Sequence, residues 1–118
     1  MNFKIDERYN AVVIELKGNV MGGPDGASLL STLHGIKDKG KCNVVVDLSK
    51  VKFMNSSGLG MLISGMTTMR NCSGDLRLAN VADRIRSLLM ITKLITVFKH
   101  FESVQEAVDS FDEETAGS

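Results

Sequence analysis

A chain of 118 residues has room for one hydrophobic core and little more. It is 43% hydrophobic and 24% charged, a globular composition. Fourteen Lys and Arg balance fourteen Asp and Glu, so no net field draws it onto nucleic acid or an anionic membrane. Its apolar runs are too short to span a bilayer, and no charged n-region followed by an apolar stretch opens the chain, so neither membrane insertion nor a secretory signal is expected.

Phe3 and Ile5 alternate with Lys4 and Asp6, and Val12, Ile14 and Leu16 repeat the pattern after "RYN". That period of two predicts a hairpin of half-buried strands. "MGGPDG" breaks regularity, and Leu29, Leu30, Leu33 and Ile36 then fall at helical spacing until Gly40. "NVVVDLS" (43–49) is a continuous run rich in β-branched residues, which suits a central strand buried on both faces.

Leu59, Leu62, Ile63 and Met66 mark an amphipathic helix. "LRLAN" is a short strand, Val81, Ile85, Leu88 and Leu89 a third helix, and "LITVF" a candidate fifth strand. Ser103 and Glu106 have capping-box spacing before a last helix lined by Val104, Ala107, Val108 and Phe111. The order β-β-α-β-α-β-α-β-α implies an α/β fold: a mixed, mostly parallel sheet of four to five strands, an N-terminal antiparallel hairpin and about four helices. One domain is expected over 1–112, with 113–118 as a flexible tail. Cys42 and Cys72 lack CxxC spacing and read as two free, buried thiols in a reducing cytoplasm.

The stretch "FMNSSGLGMLI" (53–63) carries the functional question. It is not a nucleophile elbow, because the position two before Ser56 is Met54 and the position two before Ser57 is Asn55, not glycine. It has no Walker lysine, and Ile63 stands where a dinucleotide fingerprint needs its third glycine. His34 and His100, the only histidines, sit in no suggestive context, and no His, Cys and acid cluster has metal-ligand spacing. No enzyme, cofactor or metal is expected. Asn55 or Ser56 can cap the helix, and the glycines can shape a strand-to-helix turn and let the helix pack closely on the sheet.

The same geometry allows a second role. A hydroxyl at a helix N-terminus is presented to solvent, and a phosphate placed on it would meet unpaired N–H groups and the positive end of the helix dipole. It would also add nearly two negative charges, repelling a partner that docks through apolar or acidic groups.

"VVVDLSKVKFMNSSGLGMLI" resembles the signature of the STAS-domain anti-sigma factor antagonists, the bacterial anti-anti-sigma proteins. The likeness extends over nearly the whole chain, including the hairpin, "GNV" and the late "ITKLITVFKHFESVQEAV". It implies the STAS fold. It implies that Ser56 is the phosphoacceptor, Ser57 its Ser/Thr neighbour, Gly58, Leu59 and Gly60 the turn and first helical residues, and Asp47 the acid ending the buried strand.

The partner surface expected from this is Met21, Gly22, Gly23, Asn55, Ser56, Ser57, Gly58 and Leu59, with "MGGPDG" near the phosphosite. The implied partner is an anti-sigma factor that is also a serine kinase of the histidine-kinase-like ATPase fold. Binding it frees a sigma factor, phosphorylation breaks the complex, and a PP2C-type phosphatase restores it. In one departure, Asn55 stands where the pattern has Asp, which keeps the cap but removes a charge beside Ser56. An alternative reading is a STAS regulatory or structural subunit of a transporter or signalling assembly, with no phosphoswitch.

Overall fold

A computed structural model describes residues 2–116. Strands β1 (Asn2–Glu7) and β2 (Val12–Val20) form the antiparallel hairpin, closed where the Arg8 N–H donates to the Ala11 carbonyl at 2.8 Å. Helix α1 (Pro24–Asp38) follows, with Pro24 in its first turn, where the missing N–H costs nothing. Next come β3 (Asn43–Met54), α2 (Ser56–Asn71), β4 (Asp75–Ala79), α3 (Asp83–Ile91), β5 (His100–Phe101) and α4 (Val104–Ala116). The strands lie side by side in sequence order, and β2, β3, β4 and β5 are all parallel. This is the mixed, mostly parallel sheet with four helices that the sequence implies. No helix among the described residues is long and apolar enough to cross a membrane.

The alternation of β2 and β3 divides the sheet. Val12, Ile14, Leu16, Val44, Val46 and Leu48 join Leu29, Leu33, Leu62 and Met69 in the larger core beneath α1 and α2, with Ile85 and Leu89 of α3. Ala11, Val13, Val45 and Ala79 face the other way and are covered by Ala107, Val108 and Phe111 of α4. Fully burying one Val, Leu or Met side chain stabilises by about 1.5–3 kcal/mol, so both helical layers are needed to hold the sheet.

Three elements differ from expectation. β3 is longer than "NVVVDLS" and runs on to Met54, because its lysines sit outside the core while Val51 and Met54 remain in it. "LITVF" is not a strand. Lys93 turns the chain at φ +63°, the Leu94 and Ile95 N–H groups donate back to the Leu89 carbonyl, and residues 94–98 pack on the larger core as a turn. Pairing begins only as the Leu78 N–H donates to the Lys99 carbonyl. Helix α4 includes 113–116 of the segment expected as a tail, while 117 and 118 lie outside the described residues. The capping box forms in part: Ser103 Oγ accepts from the Glu106 N–H at 3.1 Å, but Glu106 Oε2 accepts from the Glu102 N–H.

The cysteine reading is corrected. Cys42 and Cys72 form a disulfide, with Cα atoms 5.9 Å apart. They meet because α2 runs back antiparallel to β3, bringing its C-cap, Cys72, beside the residue that precedes β3. The Asp75 N–H donates to the Cys42 carbonyl, and a Cβ at Gly74 would fall on that same oxygen, so the turn is seated tightly. The bridge closes a loop of 30 residues that contains all of β3 and α2. Its reduction should therefore cost about 3.5 kcal/mol of stability by the loop-entropy argument. Urea midpoints with and without reductant, paired with a free-thiol count, measure this. An unchanged midpoint after complete reduction would refute it.

Candidate functional site

The site lies where β2 and β3 end together. Val20 pairs with Met54, and the Asn55 N–H donates to the Val20 carbonyl at 3.3 Å. Asn55 has extended backbone, so it can serve as N-cap of α2. Its Oδ1 accepts from the Gly58 N–H at 2.8 Å, and its carbonyl accepts from the Leu59 N–H at 2.9 Å. Asparagine thus does what the capping argument requires without the charge of an aspartate.

Gly58 sits directly above the end of β2. A Cβ there would fall on the Val20 carbonyl oxygen and lie 2.7 Å from the Val20 carbonyl carbon. The other glycine of the motif, Gly60, has open space around its Cβ position. Close approach of α2 to the sheet therefore depends on Gly58 alone of these two. Leu59 is buried in the larger core and anchors the turn.

The loop after β2 closes over the other side. Gly22 has φ +81°, and a Cβ there would lie 3.0 Å from Ser57 Cβ. Gly23, at φ +65°, caps α1 without a side chain. The structure thus brings Gly22 against the start of α2, while the Cβ position of Gly23 meets nothing within 4 Å. Met21, beside them, is 44% exposed, and Phe53 at the end of β3 is 41% exposed. Ser56 and Ser57 are both exposed, whereas Gly58 and Leu59 lie beneath them. Of the eight residues expected at a partner surface, those two are buried beneath the serines.

The remaining candidates are elsewhere. Asp47 is buried, and its Oδ1 accepts from the Ser49 N–H and from Asn80 Nδ2, both at 3.0 Å, so it fixes the end of β4 against β3. Met54 is core and Met90 is exposed. His34 is an exposed residue of α1 and His100 a half-buried one of β5. Among the described residues no side chain is bonded to either serine hydroxyl, and the first turn of α2 holds no acid. No group of His, Cys, Asp and Glu among them could hold a metal. The arrangement displays a hydroxyl on a rigid, positively polarised helix start. Sequence reasoning missed Val20, whose carbonyl defines the turn, because a backbone acceptor leaves no mark in residue type.

A family profile described as the STAS domain matches residues 2–107. A candidate anti-sigma factor antagonist of Bordetella bronchiseptica, BtrV, is 23% identical over 105 residues, covering 89% of this chain and 90% of the relative. The fold also matches solved structures. The anti-sigma factor antagonist SpoIIAA in its unphosphorylated form superposes with a TM-score of 0.79 at 19% identity, over 95% of this chain and 97% of that one. Its phosphorylated form, from Bacillus, gives 0.71 at 20%, over 92% and 98%. A sulfate transporter family protein from Wolinella succinogenes gives 0.71 at 15%, over 89% and 87%. With the profile spanning β1 to the first turn of α4, this chain belongs to the STAS domain family.

Proposed function

We propose that this protein is an anti-sigma factor antagonist, a non-catalytic binding module switched by phosphorylation of Ser56. The observation that carries the proposal is the display of Ser56. Its hydroxyl is exposed at the first position of α2, on backbone held by the Asn55 cap and the Gly58 contact, with no acid in that turn. A phosphate there suits the helix dipole, so the domain stays folded while its surface turns strongly negative. Relatives and fold neighbours named as anti-sigma factor antagonists support the same reading, and one of them is known in phosphorylated form.

The partner in this proposal is an anti-sigma factor with serine-kinase activity and a histidine-kinase-like ATPase fold. It contacts Met21, Gly22 and Gly23 together with Asn55, Ser56 and Ser57. Binding frees a sigma factor, the kinase phosphorylates Ser56, and a PP2C-type phosphatase reverses it, all in the cytoplasm.

Wild type, Ser56→Ala and Ser56→Asp, used as parallel baits in native lysate, test this. Mass spectrometry identifies the captured kinase, and its affinity is then measured. Ser56→Ala should bind like wild type, and Ser56→Asp should bind at least about tenfold more weakly because like charge is introduced at the contact. Equal binding by a folded Ser56→Asp would eliminate the switch. Recovery of a transporter subunit in place of a kinase would favour the regulatory-subunit role, the fold being shared with a transporter family protein.

A further inference from the structure

The charge-balanced chain has one face on which cations collect. α4 covers only part of the sheet's second side, over Ala11, Val13, Val45 and Ala79. Further along, the alternation of β2 continues outward through Glu15, Lys17 and Asn19 with no helix over them. β3 has one residue more than β2 between Glu15 and Lys17, and again between Gly18 and Asn19. These two bulges keep Val51 and Met54 in the core and leave Ser49, Lys50, Lys52 and Phe53 exposed. On β1, Lys4 pairs opposite Glu15 and Asn2 opposite Lys17. Grooves of about 450 and 560 Å³ cross these strands, the larger lined by Lys17, Gly18, Ser49, Lys50 and Lys52.

The acids of this face are already engaged. Glu15 Oε1 pairs with Lys50 Nζ at 2.9 Å, and Asp47 is buried with its Oδ1 bonded to Ser49 and Asn80. That bond to Glu15, then attraction to its charge, hold Lys50 above the ordinary lysine range against the cost of desolvation, with Asp47 adding least. Lys4, Lys17 and Lys52 make no ion pair among the described residues. Pairing of β3 with β4 stops at Asp47, so lysines and bulges beyond it also protect a sheet margin from strand-to-strand aggregation; the same residues line the larger groove, where Lys17 and Lys52 are left without an acid among the described residues.

We propose that this face is a second docking surface, taking an acidic segment of a protein partner across β1, β2 and β3 against Lys4, Lys17, Lys50 and Lys52. Charge complementarity selects the occupant. A nucleic-acid backbone carries closely and regularly spaced phosphates, which Glu15 in the middle of the face would oppose and few aromatic groups would help to hold. An acidic peptide can place its carboxylates between the ammonium groups and leave Glu15 with Lys50. The inference goes beyond the Ser56 switch and does not rest on it.

The test uses the full chain, 15N-labelled, titrated at low ionic strength with a deca-glutamate peptide, a DNA duplex and phosphatidylserine vesicles in separate experiments. The peptide should shift amides in 2–4, 15–19 and 49–53. Lys17→Glu/Lys52→Glu should weaken it at least about tenfold, while the distant pair Lys37→Glu/Lys93→Glu should change it less than about twofold. Ser56→Asp should bind the peptide as wild type does, which separates this surface from the switch. Absence of peptide binding, shifts spread over all lysines, equal losses in the two double variants, or tighter binding to DNA or vesicles would each overturn the proposal.

Discussion

Gly58→Ala should destabilise the domain by about 3 kcal/mol, whereas Gly60→Ala, two residues on, should be neutral or stabilise it by up to about 1 kcal/mol. Both glycines lie in the same helix and the same motif. The contrast arises from what surrounds them. A Cβ at Gly58 meets the Val20 backbone, which is fixed in the sheet and already accepts the Asn55 N–H. Neither side can yield without breaking the β2–β3 pairing at Val20 and Met54 or lifting the first turn of α2. A Cβ at Gly60 meets nothing within 4 Å, so alanine there removes only the unfolded-state freedom of glycine.

Urea midpoints of the two variants decide the matter, since the single domain is expected to unfold in one step. Equal effects would mean that the motif's glycines serve helix propensity in general, not contact. The functional consequence follows from the same geometry. If alanine at Gly58 lifts the turn, Ser56 moves with it, so any partner affinity should fall in Gly58→Ala and survive in Gly60→Ala.

Much of this architecture can be read from residue pattern, and the exceptions have physical causes. The hairpin and the amphipathic helices are legible from their period, although β1 is mostly exposed with Ile5 open to solvent, and the central strand is legible because an unbroken β-branched run marks burial on both faces. Asn55 as cap and the exposure of Ser56 are legible too, because capping is local chemistry. "LITVF" misleads because β-branched apolar residues report burial, and here burial is met by a turn folded onto the core. Lys50 and Lys52 hide the second half of β3, since bulges break the alternation that would reveal it. The Cys42–Cys72 bridge depends on where α2 returns, which no spacing rule encodes. "LRLAN" is legible as a strand, but nothing in it marks Arg77 as buried: α4 folds over it and leaves it 1% exposed.

Asp75→Ala should cost about 3 kcal/mol because it removes the carboxylate shared by two arginines, one of them buried. Arg77 Nε donates to Asp75 Oδ2 at 3.2 Å, its Nη1 donates to Ser110 Oγ, and its guanidinium carbon lies 4.0 Å from the Phe111 ring centroid. Arg70, from α2, donates through Nε to Asp75 Oδ1 at 2.9 Å and through Nη2 to the Val97 carbonyl at 3.0 Å. Asp75 thus connects helix α2, strand β4 and, through Arg77, helix α4. Arg77→Met keeps an apolar stem under Phe111 without the charge. The double variant Asp75→Ala/Arg77→Met should therefore be more stable than the sum of the single losses predicts, by at least about 1 kcal/mol. Strict additivity in that cycle would show that the cost of Asp75→Ala does not come from stranding Arg77 but from the Arg70 pair, from packing or from the Leu76 N–H, which also donates to Asp75 Oδ1. Hydrogen exchange locates the effect. Loss of Asp75 releases Arg70 at the far end of α2, so amides of its last turn should exchange faster while Gly58 and Leu59, held by Asn55, keep their protection. Ser56 would then stay in place on a helix loosened only at its other end, and a switch built on the Asn55 cap should keep working in a destabilised domain.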